Sequence, residues 1–327
     1  MELFRTQIPV ASHTQKISYH SPVMFIGSCF SENIGNKVAE AKFSTDNNPF
    51  GIVYNPLSVK LVLSRLIEHK PYTTDELFNY EGVWSSFDHH SRFSDVGAAT
   101  CLQKINERFE HSSQFLSKAG FLFITFGTSY VYSKKQDGNI VANCHKLPAS
   151  NFDRKRLTVT EIVADYHILL EQLYRVNPHL NIIFTVSPVR HWKDGAHENQ
   201  LSKAILLLAI DQIVKDFPHT SYFPSYEIIM DDLRDYRFYE EDMLHPNKVA
   251  INYIWDRFKD VFMDGDTLNL MKEVEKVVSA CSHRPFNPQT VQYKTFVKQT
   301  LNKIKLLQDQ YPISFSQEEA HLLSLLQ

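Results

Sequence analysis

Three uninterrupted apolar runs constrain the fold of this sequence more than any other feature: PVMFIGS at 22–28, GFLFITFGT at 120–128 and LNIIFTVSPV at 180–189. None alternates apolar with polar residues, so each reads as a strand covered on both faces. Segments with helical apolar spacing separate them. SENIGNKVAEAKF follows the first run, LQKINERFEHSSQFL precedes the second and TVTEIVADYHILLEQLYRV the third, and NQLSKAILLLAIDQIVKDF and AINYIWDRFKDVFM continue the alternation. Buried strands alternating with amphipathic helices call for a mostly parallel sheet with helices on both faces, a three-layer α/β/α sandwich. After residue 263 the pattern is helical only, so the expected organisation is an α/β domain over 1–263 and a helical C-terminal extension over 264–327. The aromatic, aperiodic stretch 68–100 reads as an insertion packed near the ligand cleft.

In such sheets ligands bind beyond the carboxyl ends of the strands. Each apolar run ends there in small or polar residues: Gly27, Ser28 and Cys29; Gly127, Thr128 and Ser129; Ser187, Pro188 and Val189. These clusters are expected to line one cleft. Cys29 falls between a strand and the opening of a helix, where backbone N–H groups and the helix dipole favour a thiolate. A small buried hydrophobe is the competing reading of the same thiol. Far downstream, Asp242 and His245 lie three residues apart, just before Pro246 and another helix. A carboxylate at that spacing can fix one imidazole nitrogen while the other faces a nucleophile. A helix cap with a surface histidine has the same spacing.

The four cysteines, Cys29, Cys101, Cys144 and Cys281, are scattered without a C-x-x-C pair, which signals neither a disulfide framework nor a zinc site. A net charge of −3 provides no broad basic field for nucleic acid. No run approaches the roughly 20 apolar residues of a membrane span. The first residues lack the basic stretch and apolar core of a secretory signal, so the expected location is cytoplasmic.

GSCF at 27–30, GTS at 127–129, NCHKLP at 143–148, SPV at 187–189 and SYEIIMDDLRDYRFYEEDMLHP at 225–246 together resemble the GSCFA family, over roughly residues 20 to 260. That family is similar to the SGNH, or GDSL-type, hydrolases, whose fold is flavodoxin-like. The resemblance implies a nucleophile at Cys29, with Ser28 where those hydrolases carry aspartate, and a catalytic Asp242 and His245. It further implies oxyanion donors at Gly51 and Ser129, the latter replacing an asparagine. Exchange of serine for cysteine keeps nucleophilic catalysis open. Loss of one amide donor can cost about 3 kcal/mol of transition-state stabilisation, in part recoverable by a hydroxyl.

Other candidates are weaker. Asp88, His89 and His90 spell an Asp-His-His also found in metal-dependent phosphoesterases, but the further acidic blocks of such a site are missing, so the reading is packing among Trp84, Phe87 and Phe93 or substrate contact from the cleft wall by His90. Cys144 and His145 are adjacent and read as a loop near the cleft. Gly127, His145, Arg190 and His191 are candidate binding residues. Arg234 and Arg237 are expected to pair with Asp231, Asp232 and Asp235. The expected function is an acyl esterase or acyltransferase acting on an ester or thioester of a small molecule or acylated carbohydrate, with no cofactor and no metal. Ser28 is the alternative nucleophile. The alternative function is a non-catalytic carbohydrate-binding protein that keeps a degenerate cleft.

Overall fold

The computed structural model describes residues 6–283 and 290–326. In chain order the elements are β1 (Val23–Gly27), α1 (Cys29–Glu40), β2 (Thr45–Asn47), α2 (Pro56–Ile67), β3 (Phe78–Tyr80), β4 (Val83–Ser85), α3 (Ala98–Leu116), β5 (Phe121–Phe126), β6 (Tyr130–Lys134), β7 (Ile140–Val141), β8 (Phe152–Arg156), α4 (Val159–Val176), β9 (Asn181–Val186) and α5 (Ala196–Asp216). They are followed by β10 (Thr220–Tyr222), α6 (Ser225–Glu227), α7 (Lys248–Phe262), α8 (Gly265–Ser282), α9 (Val291–Gln310) and α10 (Ser316–Ser324).

The three apolar runs form the centre of a parallel sheet in the order β10-β9-β5-β1-β2. Each is covered on both faces, and the period of two decides which side chain enters which core. Met24 and Ile26 of β1, with Leu122, Ile124 and Phe126 of β5, face one cluster that holds the apolar stripes of α2, α3, α4 and α5. Val23 and Phe25, with Phe121 and Phe123, face the other, built from α1 and α7. This is a three-layer, flavodoxin-like α/β/α sandwich. Val274, Val297, Ile304 and Leu322 of α8, α9 and α10 enter the second cluster alongside Phe258 and Phe262 of α7.

The chain runs from β1 to β2 on one side and returns to β5 on the other, so its direction along the sheet reverses between β1 and β5. That switch point opens a crevice at the carboxyl ends of the strands. The 68–100 segment contains the β3–β4 hairpin. A second small sheet, β7-β6-β8, is antiparallel and was not legible as strands in the sequence.

Candidate active site

At the switch point Ser28, Cys29, Thr128, Ser187, Val189 and Arg190 surround a cleft of about 690 Å³. The loops after all three central strands therefore meet in one place. Tyr130, Tyr132, Phe152 and Arg154 of the antiparallel sheet add a side wall, and His90 and His245 also reach the cleft. A larger groove of about 1420 Å³ runs along α8 and α9 and carries none of these residues.

The turn that presents Cys29 is tight. Gly27 has φ +141°, and a Cβ there would lie 2.2 Å from the Thr125 carbonyl oxygen, so only glycine fits against β5. Ser28 is the N-cap of α1, yet its side chain caps nothing. Its hydroxyl is buried with no hydrogen-bond partner. Cys29, the first residue of α1, is half-buried. Burial pushes its thiol up, opposed by the N–H groups of Phe30 and Cys29 and by Lys203, while Glu32 adds to the rise.

His245 stands on a loop bound to itself by the Glu240 N–H and the His245 carbonyl at 2.8 Å, with Met243 at φ 59°. Asn247 then caps α7 by accepting from Val249 and Ala250 N–H. His245 Nδ1 meets Asp242 Oδ2 at 2.6 Å, and Asp242 Oδ1 accepts from the N–H groups of Leu244 and His245. These backbone and ring hydrogen bonds hold the Asp242 carboxyl down at about 2. An ionised carboxylate only accepts, so Nδ1 carries the proton and Nε2 is the imidazole atom left for chemistry.

Two expected oxyanion donors are engaged elsewhere. The Gly51 N–H donates to the Asn48 carbonyl at 2.8 Å, and Gly51, at φ +85°, packs so close to His90 that a Cβ would lie 2.2 Å from that residue's Cβ. Ser129 is buried, and both its N–H and its hydroxyl donate to Ser202 Oγ, at 2.8 and 3.0 Å. Neither residue lines the cleft; Thr128 takes the position facing it. Gly127 is a structural contact, its N–H bonded to Tyr54 O at 2.7 Å and its carbonyl to Lys203.

His145 is drawn away from the cleft: its Nε2 meets the Ser86 carbonyl at 2.8 Å and its ring packs edge-on against Phe78. Its neighbour Cys144 lines the cleft instead. His89 is buried, stacked on Phe50, while Asp88 accepts from Tyr72 O–H and His90 faces the cleft, so the three side chains diverge. Among the described residues no group of His, Cys, Asp and Glu is arranged to hold a metal ion. Arg234 pairs with Asp231 and Arg237 with Asp235, while Asp232 binds the Ile8 N–H and Tyr253 O–H.

Arg190 stands between the cleft and an adjoining cavity of about 460 Å³ lined by Trp192, Tyr236, Tyr239 and Met243. Its Nη2 donates to Met230 Sδ, and its Nε is buried without a partner. His191 lines the cleft, held down to about 4 by burial and by Lys203.

Behind the cleft lining, α5 supplies a buried polar layer. Asn199 accepts from His191 N–H, Ser202 holds Ser129, and Lys203 Nζ donates to the Gly127 and Ser187 carbonyls at 2.7 and 2.6 Å. The sequence signal for these residues is a lysine at an apolar-periodic position, in register with Leu206, Ile210 and Ile213.

The sequence pattern of the GSCFA family matches residues 22–258, a span that includes every residue of the cleft. The chain belongs to the GSCFA family. Residues 274–327 match the C-terminal domain of GSCFA domain proteins, a span that takes in the second half of α8 together with α9 and α10. No curated protein matches this GSCFA chain by sequence. Among solved structures, an acetyl xylan esterase from the rumen bacterium Butyrivibrio proteoclasticus is 11% identical, with a TM-score of 0.37, and the match covers 78% of this chain and 66% of that one. A family 3 carbohydrate esterase from Clostridium thermocellum is 10% identical, at TM-score 0.35, over 77% of this chain and 97% of that one. A family 3 carbohydrate esterase from Talaromyces cellulolyticus is 9% identical, at TM-score 0.34, over 77% and 99%. No helix among the described residues is long and apolar enough to cross a membrane.

Proposed function

We propose that this GSCFA protein is an acyl esterase or acyltransferase that uses Cys29 as nucleophile and His245, oriented by Asp242, as base. The observation that carries the reading is the opening of the Cys29 thiol and the carboxylate-bound imidazole of His245 into the same cleft. His245 Nε2 takes the proton from the Cys29 sulfur, which forms a bond to the carbonyl carbon of an ester or thioester. The carbonyl electron pair moves onto oxygen, where the N–H groups of Cys29 and Phe30 at the start of α1 favour the negative charge. Collapse of this intermediate breaks the bond to the leaving group, which takes the proton from His245. Water or a sugar hydroxyl then attacks the acyl-cysteine, with His245 again accepting the proton. Cys29 is preferred to Ser28 because the Ser28 hydroxyl is enclosed, whereas the thiol is half-exposed.

Arg190, His90 and the aromatic wall of Tyr130 and Tyr132 suit a polar, ring-bearing substrate such as an acylated carbohydrate. Turnover of short acyl esters, thioesters and acetylated sugars by wild type, Cys29→Ala, Cys29→Ser and Ser28→Ala tests the assignment. Loss in Cys29→Ala with retention in Ser28→Ala is the expected result; the reverse overturns it. The engagement of Gly51 and Ser129 favours one rival, a binding protein with a degenerate cleft. Saturable binding of an acylated sugar without turnover selects that rival.

A further inference from the structure

Lys203 is fully enclosed on α5, and its ammonium nitrogen donates to two neutral carbonyls, Gly127 O at the end of β5 and Ser187 O at the end of β9. Among the described residues no carboxylate pairs with it. An enclosed ammonium group without an anion is costly, because two carbonyl dipoles replace only part of its hydration. Helix α5 holds it behind the ends of β5 and β9, and Ser187, whose carbonyl it binds, lines the same cleft as Cys29.

We propose that Lys203 is the buried counter-charge of Cys29, a positioning residue whose ammonium group balances the negative charge that forms on the sulfur. The proposal rests on the reading of Cys29 as nucleophile and adds a second charged group to it. The coupling is mutual: Lys203 favours the thiolate, and the thiolate favours a protonated Lys203. Of the other groups facing the pair, Glu32 on α1 opposes the anion and Arg190 opposes a second cation. Tyr54, with its ionisation pushed up by burial, and His191, pushed down to about 4, are uncharged near neutrality. His245 stands at the exposed mouth, bound to Asp242, while Arg154, Lys193 and Asp194 line the outer wall. His245 thus removes the proton from the solvent side while Lys203 stabilises the resulting charge from the protein side.

The test is the rate of carboxamidomethylation of Cys29 by iodoacetamide, followed site by site by mass spectrometry from about pH 5.5 to 9.5, in the full-length wild type and Lys203→Met. A thiolate that loses its counter-charge should react about tenfold more slowly or worse at neutral pH, with the profile displaced upward by at least about one pH unit. Labelling of Cys144 in the same molecules should be unchanged, which reports an intact fold. An unmoved Cys29 profile beside an unchanged Cys144 overturns the proposal. If Lys203→Met does not fold, Lys203→Gln, whose neutral amide can donate to the same carbonyls, takes its place in the labelling series. The same displacement is then expected, and an unmoved Cys29 profile overturns the inference. Labelling needs no turnover, so a displaced profile in a protein without esterase activity removes the acyl-transfer reading alone. Turnover that depends on Cys29, with an unmoved profile, removes only the role of Lys203.

Discussion

Asp242 Oδ2 holds His245 Nδ1 at 2.6 Å while its other oxygen receives two backbone N–H groups, so the carboxylate is fixed before it fixes the imidazole. Because Asp242 remains ionised down to about pH 2, its own titration does not enter the pH dependence of any reaction near neutrality. Asp242→Asn can present its amide N–H to Nδ1 and reverse the tautomer. His245→Ala is expected to lower kcat/KM by about 10²–10⁴-fold, the usual range for loss of a general base. Asp242→Asn should fall in the same direction with KM little changed, since neither residue is needed to hold the substrate's remote part. Equal turnover in His245→Ala and wild type would remove the histidine from the mechanism.

The four thiols differ in reach. Cys101 and Cys281 are buried, in the helical layers on opposite faces of the sheet, whereas Cys29 and Cys144 line the cleft. Native protein treated with a thiol reagent should be modified at Cys29 and Cys144 only, and the other two should react after addition of denaturant. Peptide mapping of the labelled sites checks this. Rapid native labelling of Cys101 would contradict the packing of α3 against the sheet.

Gly27→Ala should be among the most damaging substitutions in the chain. Its φ of +141° disfavours any side chain, and the added methyl would meet the backbone of Thr125 at 2.2 Å, where no flexible group can give way. Backbone strain and overpacking together predict a loss of about 3 kcal/mol or more in urea unfolding. Gly82→Ala is the control: it too has positive φ, but nothing lies within 4 Å of its added methyl, so only the backbone cost applies.

Lys203 also predicts a pH dependence of stability. Burial holds its ammonium down to about 7, against 10.5 for an ordinary lysine. Between those values the unfolded chain binds more protons than the native one, so this residue makes stability rise with pH. Its penalty is fully present below about pH 7. In a Cys29→Ser background, which removes the thiol's own titration, the stability of the lysine protein relative to Lys203→Met should increase between about pH 7 and 9, by up to about 1.4 kcal/mol per unit. Urea unfolding at each pH measures it. A difference that stays flat would mean that Lys203 titrates normally.

Much of this architecture is written in the apolar runs, because a strand buried on both faces cannot hide its composition. The cleft follows from the same pattern: Ser28, Thr128 and Ser187 occur where each run ends, and the fold brings the three ends together. Gly51 and Ser129 could not be judged from sequence, since whether an N–H or hydroxyl is free depends on Asn48 and Ser202, whose proximity is a tertiary fact. Strands β6 and β8 were missed because YVYSK and FDRKR are too polar and short to announce themselves, and their pairing joins residues separated by a loop. His145 lay beside a cleft-lining cysteine in sequence, yet with φ 48° its backbone sends the imidazole to Ser86.

The last three helices belong to the same apolar cluster as α1, and Glu318 and Phe315 meet Lys42 just after the end of α1, the helix that begins at Cys29. Cutting the chain after α7 would take Glu318 and the Phe315 ring away from Lys42 and remove hydrocarbon from the cluster into which α1 packs. A truncated protein is therefore expected to loosen α1, and with it the seat of Cys29, before it loses the sheet, so the tail acts as a brace for a cleft that it does not line.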